Sequence, residues 1–121
     1  MLIPISRRER LTGMFTAVFG REPEAVYSVP GRTELGGNHT DHQHGRVLAA
    51  AVNLDILAAA APNQSGMIRV QSEGYPLIVV DLKELTPKQG EENTSAALIR
   101  GVAARMAALG CPLQDAGLDA Y

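Results

Sequence analysis

The sequence predicts a single α+β unit on three observations. Two stretches carry helical apolar periodicity, several short β-prone runs alternate with Gly/Pro turns, and no internal repeat or low-complexity linker divides them. At 121 residues the chain has room for one core without disulfide staples. Its 45% hydrophobic and 20% charged content is ordinary for a globular domain. Eleven basic against thirteen acidic residues give a net charge of −2, which argues against the cationic field that general nucleic-acid or anionic-membrane binding needs. The lone Cys111 can form neither an internal disulfide nor a thiolate zinc site. The apolar N-terminus is too short for a secretory signal. No apolar run reaches the roughly 20 residues of a membrane helix. The longest, 47–61, is broken by Asn53 and Asp55. These features together predict a cytoplasmic location.

In chain order, Ser6 and Glu9 have the spacing of a capping box opening a helix over 7–19. Leu11, Met14, Phe15, Val18 and Phe19 recur on one face as a core stripe, and Gly20 suits the left-handed position that ends a helix. A β-prone run, 25–29, is expected to stop at Pro30-Gly31. The polar, aperiodic stretch 35–45 reads as a loop between strands. The run 46–61 balances alanine helix propensity against Val/Ile content and is read as a strand, with Asn53 and Asp55 on its solvent side. A turn at 62–66 precedes two strands, 67–72 and 77–82, joined through Gly74 and Pro76. After a polar connector over 86–93, Thr94 or Ser95 caps a helix running to Leu109 and stopped by Gly110, with Leu98, Val102, Met106 and Leu109 as its apolar stripe. Gly101 and Ala104 would let a neighbouring element come close, and Cys111-Pro112 ends the helix. Residues 117–121 open a further strand.

Chemistry concentrates in PGRTELGGNHTDHQHGRVLAAA, residues 30–51. A core would not choose so many polar groups, each of which must be paired when buried. Three readings of this segment stand side by side. Asn38, Thr40 and Asp41 could form a simple hydrogen-bonded turn, with exposed histidines and Arg32 paired to Glu34 or Asp41. His39, Asp41, His42 and His44 could ligate a metal, although their order matches no hydrolase motif and no remote ligand completes the set. Clustered carboxylate, amide and imidazole groups could bind a polyol, whose hydroxyls each donate and accept. Arg32, at the entrance to the segment, could hold a phosphate in transfer or depress the pKa of an aspartate base.

Residues 30–52 resemble the signature of galactokinases, members of the GHMP small-molecule kinases, which runs approximately G-R-x-N-L-I-G-E-H-T-D-Y-x-x-G-x-V-L-P-x-A. The chain keeps Gly31, Arg32, Leu35, Gly37, His39, Thr40, Asp41, Gly45, Val47, Leu48 and Ala51. The leading helix, paired strands and later helix fit as well, so the resemblance covers essentially the whole chain. It implies the N-terminal part of a GHMP-kinase (ribosomal protein S5 domain 2-like) fold, a mixed sheet with flanking helices. The implied activity is transfer of the γ-phosphoryl of MgATP to the C1 hydroxyl of α-D-galactose in the Leloir pathway. By the same resemblance Arg32 is the active-site arginine that assists the catalytic aspartate and the moving phosphoryl group. His39 and Asp41 match residues that hydrogen-bond galactose hydroxyls, and Asn38, Glu34, Gly37 and His42 belong to the same substrate-binding segment. Several positions depart from the pattern. Asn38 stands where most members have a glutamate that contacts the exocyclic hydroxyl, Glu34 replaces an asparagine, Gly36 an isoleucine and His42 a tyrosine. These changes leave the class intact and open two alternatives: a kinase for N-acetylgalactosamine or arabinose, or a non-catalytic galactose-sensing relative.

Two parts of the family machinery are missing from the sequence. Nothing resembles the phosphate loop P-x-G-x-G-L-S-S-S, which would sit at a helix N-terminus as an anion site. No carboxylate after Asp41 stands in the context of the family's catalytic aspartate. Residues 117–121 (GLDAY) resemble the strand that leads into that loop. The expectation is a chain truncated before its nucleotide site, inactive by itself, with ATP and Mg2+ bound by regions beyond it and no metal held by the sugar segment.

Overall fold

A computed structural model describes residues 4–37, 44–113 and 116–121. The elements, in chain order, are α1 (Ile5–Phe19), β1 (Ala25–Gly36), β2 (Leu48–Pro62), β3 (Met67–Val70), β4 (Ile78–Asp81), α2 (Ser95–Ala108) and β5 (Leu118–Ala120). Hydrogen-bonded strands follow the order β1-β2-β5-β3-β4. The pairings are antiparallel between β2 and β5, parallel between β5 and β3, and antiparallel between β3 and β4. This is the mixed sheet with two helices that the α+β reading predicts. The chain divides into two compact units, one of Met1–Val26 with Ala59–Tyr121 and one of Tyr27–Ala58.

In the first unit α1 opens differently from the expectation. Pro4 occupies the N-cap at φ −55° and ψ 137°, and no side chain caps the helix. The fixed proline turns the chain into the helix directly. Ser6 therefore falls inside the first turn and no capping box forms. The C-terminus is as predicted, with Gly20 left-handed at φ 69° and its N–H bonded to the Thr16 carbonyl. Of the predicted stripe on α1, Phe15 is buried and Leu11 and Phe19 are half-buried, while Met14 and Val18 are exposed. Phe15 is fully buried against Ala59 and Ala61 of β2, with Val26 and Tyr121 around it, and its ring lies 4.8 Å from that of Phe19. Alanine at alternate positions of β2 leaves the space in which an aromatic ring can rest on the sheet.

On the other sheet face α2 packs against β4, where Val80, Leu82 and Ala103 are buried. Thr94 caps α2 as expected, its hydroxyl accepting from the Ala97 N–H at 3.2 Å, and Gly110 is left-handed beyond its end. The predicted core stripe does not hold. Leu98, Val102, Met106 and Leu109 are all exposed, and the buried residues of α2 are Arg100 and Ala103. Arg100 turns inward because the Glu91 carboxylate and the Glu84 carbonyl accept its hydrogen bonds. Among the described residues nothing lies within 4 Å of a Cβ built on Gly101, so none of the described elements makes the close approach expected there. Strands β3 and β4 are shorter than read from sequence, and β5 forms where 117–121 predicted it.

Candidate functional site

The second unit, Tyr27–Ala58, carries the polar signature on β1 and β2. β1 does not stop at Pro30-Gly31 but continues to Gly36. It is an edge strand, so the missing N–H of Pro30 can face the unpaired side. Gly31 keeps the neighbouring strand close: a Cβ there would lie 3.2 Å from Val52 Cγ2. Ser28 meets Asp55, Gly31 meets Val52 and Gly37 meets Arg46, so partners descend β2 as β1 ascends and the pair is antiparallel.

Alternation sorts the side chains onto two faces. Ser28, Arg32, Glu34 and Asp55 share one. Ser28 Oγ donates to Asp55 Oδ2 at 2.6 Å. Asp55 is therefore half-buried and bonded rather than turned to solvent as expected, although Asn53 is exposed. Arg32 lies 3.6 Å from Glu34, an ion pair too long for a hydrogen bond, with a guanidinium side chain 71% exposed. The other face presents Tyr27, Val29, Leu54 and Ile56, all exposed.

Gly37 fixes where β1 gives way to the signature's centre. Its φ is +82°, and a Cβ would fall 2.1 Å from the Arg46 carbonyl oxygen. Only glycine satisfies both the left-handed backbone and that approach. His44, an exposed residue at φ 59°, stands at the return. Of the predicted site residues, the structure brings Arg32 and Glu34 together on β1 and anchors Gly37. Asn38, His39, Asp41 and His42 lie outside the described residues, as does Thr40. Among the described residues no three His, Cys, Asp or Glu side chains group to hold a metal.

A second polar centre, within the first unit, escaped the reading of the sequence. Asp119 on β5 is fully buried and receives four hydrogen bonds: two from Arg69 at 2.7 and 2.8 Å, one from Arg21 at 2.7 Å and one from Asn63 Nδ2 at 2.7 Å. Burial alone would raise the pKa of this carboxyl. The bonds from Arg69, Arg21 and Asn63, with the charge of Arg69, outweigh burial and hold it below the usual aspartate range. Arg69 also lies 5.4 Å over the Phe19 ring. The one available signal was a carboxylate alternating with Leu118 and Ala120 in a three-residue strand, an inward position that requires cationic partners. A similar centre joins Arg100 to Glu91 at 2.8 and 2.9 Å, and the hydrogen bonds of Arg100 hold the Glu91 pKa down.

Comparison with known proteins places these observations. The family model for the galactokinase galactose-binding signature matches residues 14–62. The galactokinase of Streptococcus mutans is 32% identical over 118 residues, covering 95% of this chain and 30% of its own length. That of Lacticaseibacillus casei is 30% identical over 112 residues, covering 92% and 29%. The crystal structure of Lactococcus lactis galactokinase complexed with galactose superposes with a TM-score of 0.77 at 27% identity, over 94% of this chain and 30% of that one. The chain thus spans just under a third of the length of the relatives it matches.

Proposed function

The chain belongs to the galactokinase family, and from that premise we propose that it supplies the sugar-binding part of a kinase that transfers the γ-phosphoryl of MgATP to the C1 hydroxyl of α-D-galactose. The observation that carries this reading is the match of the galactose-binding signature to residues 14–62, which include both strands around the Gly37 anchor. A galactokinase solved with galactose shares this architecture. In this reading His39 and Asp41, with Asn38, Glu34 and His42, donate to and accept from the sugar hydroxyls. Gly37 allows the chain to turn from β1 into that segment. Arg32 keeps an exposed positive charge on the same unit, suited to a phosphoryl group gaining negative charge in transfer.

MgATP, when bound, supplies the phosphoryl group and the charge-neutralising cation. The described residues do not fit it, because neither helix start carries a glycine-rich cradle and no carboxylate cluster could hold the metal. Because the relatives are more than three times the matched length, we propose that the phosphate cradle, the Mg2+ ligands and the catalytic base belong to polypeptide outside these 121 residues, and expect no turnover from this chain alone. Among the described residues no helix is long and apolar enough to cross a membrane.

Asn38 favours one second reading, a kinase for a related sugar such as N-acetylgalactosamine or arabinose, since an amide replaces the charged acceptor of most members. A coupled ADP-release assay on the full-length protein with a sugar panel tests both readings. Galactose is expected to give the highest kcat/KM, and Asp41→Ala to abolish sugar affinity because hydroxyls would be left unpaired. Equal turnover across the panel, or unchanged kinetics in Asp41→Ala, refutes the assignment.

A further inference from the structure

We propose that Glu34 is a positioning residue for Arg32: its carboxylate steers the guanidinium toward the moving phosphoryl group, beyond any contact Glu34 makes with the sugar. The proposal rests on the galactokinase reading, which gives Arg32 that task. The two residues are same-face neighbours on β1, two positions apart, with their charged groups 3.6 Å from each other. The register that brings Ser28 to Asp55, Gly31 to Val52 and Gly37 to Arg46 sets Ala51 opposite Arg32 and Ala49 opposite Glu34. Neither alanine side chain carries a polar atom, so this stretch of β2 offers no side-chain partner to either charge. Asp55, a further carboxylate on the same face, is engaged by the Ser28 hydroxyl.

The two ends of the pair differ. The Glu34 side chain is 22% exposed and that of Arg32 71%. The acid is therefore the held end and the guanidinium the free one. An arginine with so much solvent around it samples many rotamers unless something restrains it, and phosphoryl transfer depends on placement. A separation of 3.6 Å restrains Arg32 by charge, without a hydrogen bond, and leaves its N–H donors for phosphoryl oxygens. A bidentate pair at hydrogen-bond distance would instead aim two of those donors at Glu34. The family signature has an uncharged asparagine at this position, so the restraint is a feature of this chain.

A double-mutant cycle of Arg32→Ala and Glu34→Gln in the full-length protein, assayed with galactose and MgATP, tests this. Glutamine keeps an oxygen that can accept from a sugar hydroxyl but has no charge for the guanidinium. Glu34→Gln is expected to lower kcat about three- to tenfold, with galactose KM changed by less than about twofold. In the Arg32→Ala background the same substitution should change kcat by less than about twofold, since no guanidinium is left to steer. Glu34→Asp, which keeps the charge on a shorter stem, should fall between the unsubstituted protein and Glu34→Gln. The Arg32 Nε–Hε NMR signal, assigned by its loss in Arg32→Ala, should lose order in Glu34→Gln. A kcat left unchanged or raised by Glu34→Gln, an equal loss in both backgrounds, or a loss confined to KM overturns the proposal, and so does Glu34→Asp behaving as Glu34→Gln. Turnover by the unsubstituted protein with additive substitutions leaves the kinase reading standing and refutes the positioning role. No galactose-dependent ADP release from the unsubstituted protein refutes the kinase reading, and the Nε–Hε signal alone then decides whether Glu34 restrains Arg32; unchanged order there overturns the pairing as well.

Discussion

Replacing Asp119 by asparagine removes one negative charge while preserving shape. An amide presents one oxygen where the carboxylate presented two, and its NH2 must face a guanidinium donor. At most half of the four hydrogen bonds survive. Removing one partner of a buried ion pair costs about 3–5 kcal/mol, because the remaining charge is left uncompensated. Arg21 and Arg69 have side chains 36% and 37% exposed, so water can rehydrate part of each guanidinium, which lowers the expected loss to about 2–3 kcal/mol. Against a typical total of about 5–15 kcal/mol this is a large share. Urea unfolding followed by far-UV circular dichroism measures it. The pH dependence gives the sign. The folded pKa of Asp119 is depressed, so its contribution is complete above the unfolded value of about 3.9 and fades as the pH falls through the lower folded value. The two stability curves should therefore run parallel from pH 7 to about pH 4.5 and converge in stronger acid. A neutral-pH difference below about 0.5 kcal/mol, or a gap that acid does not close, would refute the reasoning.

Thr94→Ala should cost about 1 kcal/mol by removing the bond to the Ala97 N–H, seen as a lower urea midpoint with unchanged slope. Gly37→Ala places a methyl 2.1 Å from the Arg46 carbonyl at a left-handed φ, and galactose binding to the full-length protein, measured by calorimetry, should weaken at least about tenfold. Arg32→Ala in the full-length protein should lower kcat by about 10²-fold or more with galactose KM little changed. A change confined to KM would place Arg32 in sugar binding instead.

Local chemistry was legible where one residue settles the outcome. Gly20 ends α1 and Thr94 starts α2 because a left-handed backbone and an orphan amide have few solutions. β2 was legible because its Val/Ile content and period of two outweighed its alanines. Two of the failures share one cause, which is tertiary context. Pro30 does not end β1 because β1 lies at the sheet edge, a position that only the strand order reveals. The apolar stripe of α2 reads as core and is exposed, because periodicity shows that a face is meant to be buried without showing by what. Arg32, Glu34 and Gly37 were singled out by residue type and spacing in the signature. Asp119 was not, since its partners Arg21, Asn63 and Arg69 are scattered along the chain with no shared motif.

The placement of β5 also bears on how this polypeptide is made. The last strand of these 121 residues lies at the middle of the sheet, between β2 and β3, and Arg21 waits for a carboxylate 98 positions further on. During synthesis β2 and β3 leave the ribosome with a gap between them that no earlier strand fills. Such a high contact order predicts slow closure and a nascent chain with open strand edges until residue 119 emerges. Chaperone demand during translation should therefore be greatest just before β5 appears. Ribosome profiling of bound trigger-factor-type chaperones would register it as occupancy that falls once that strand clears the exit tunnel.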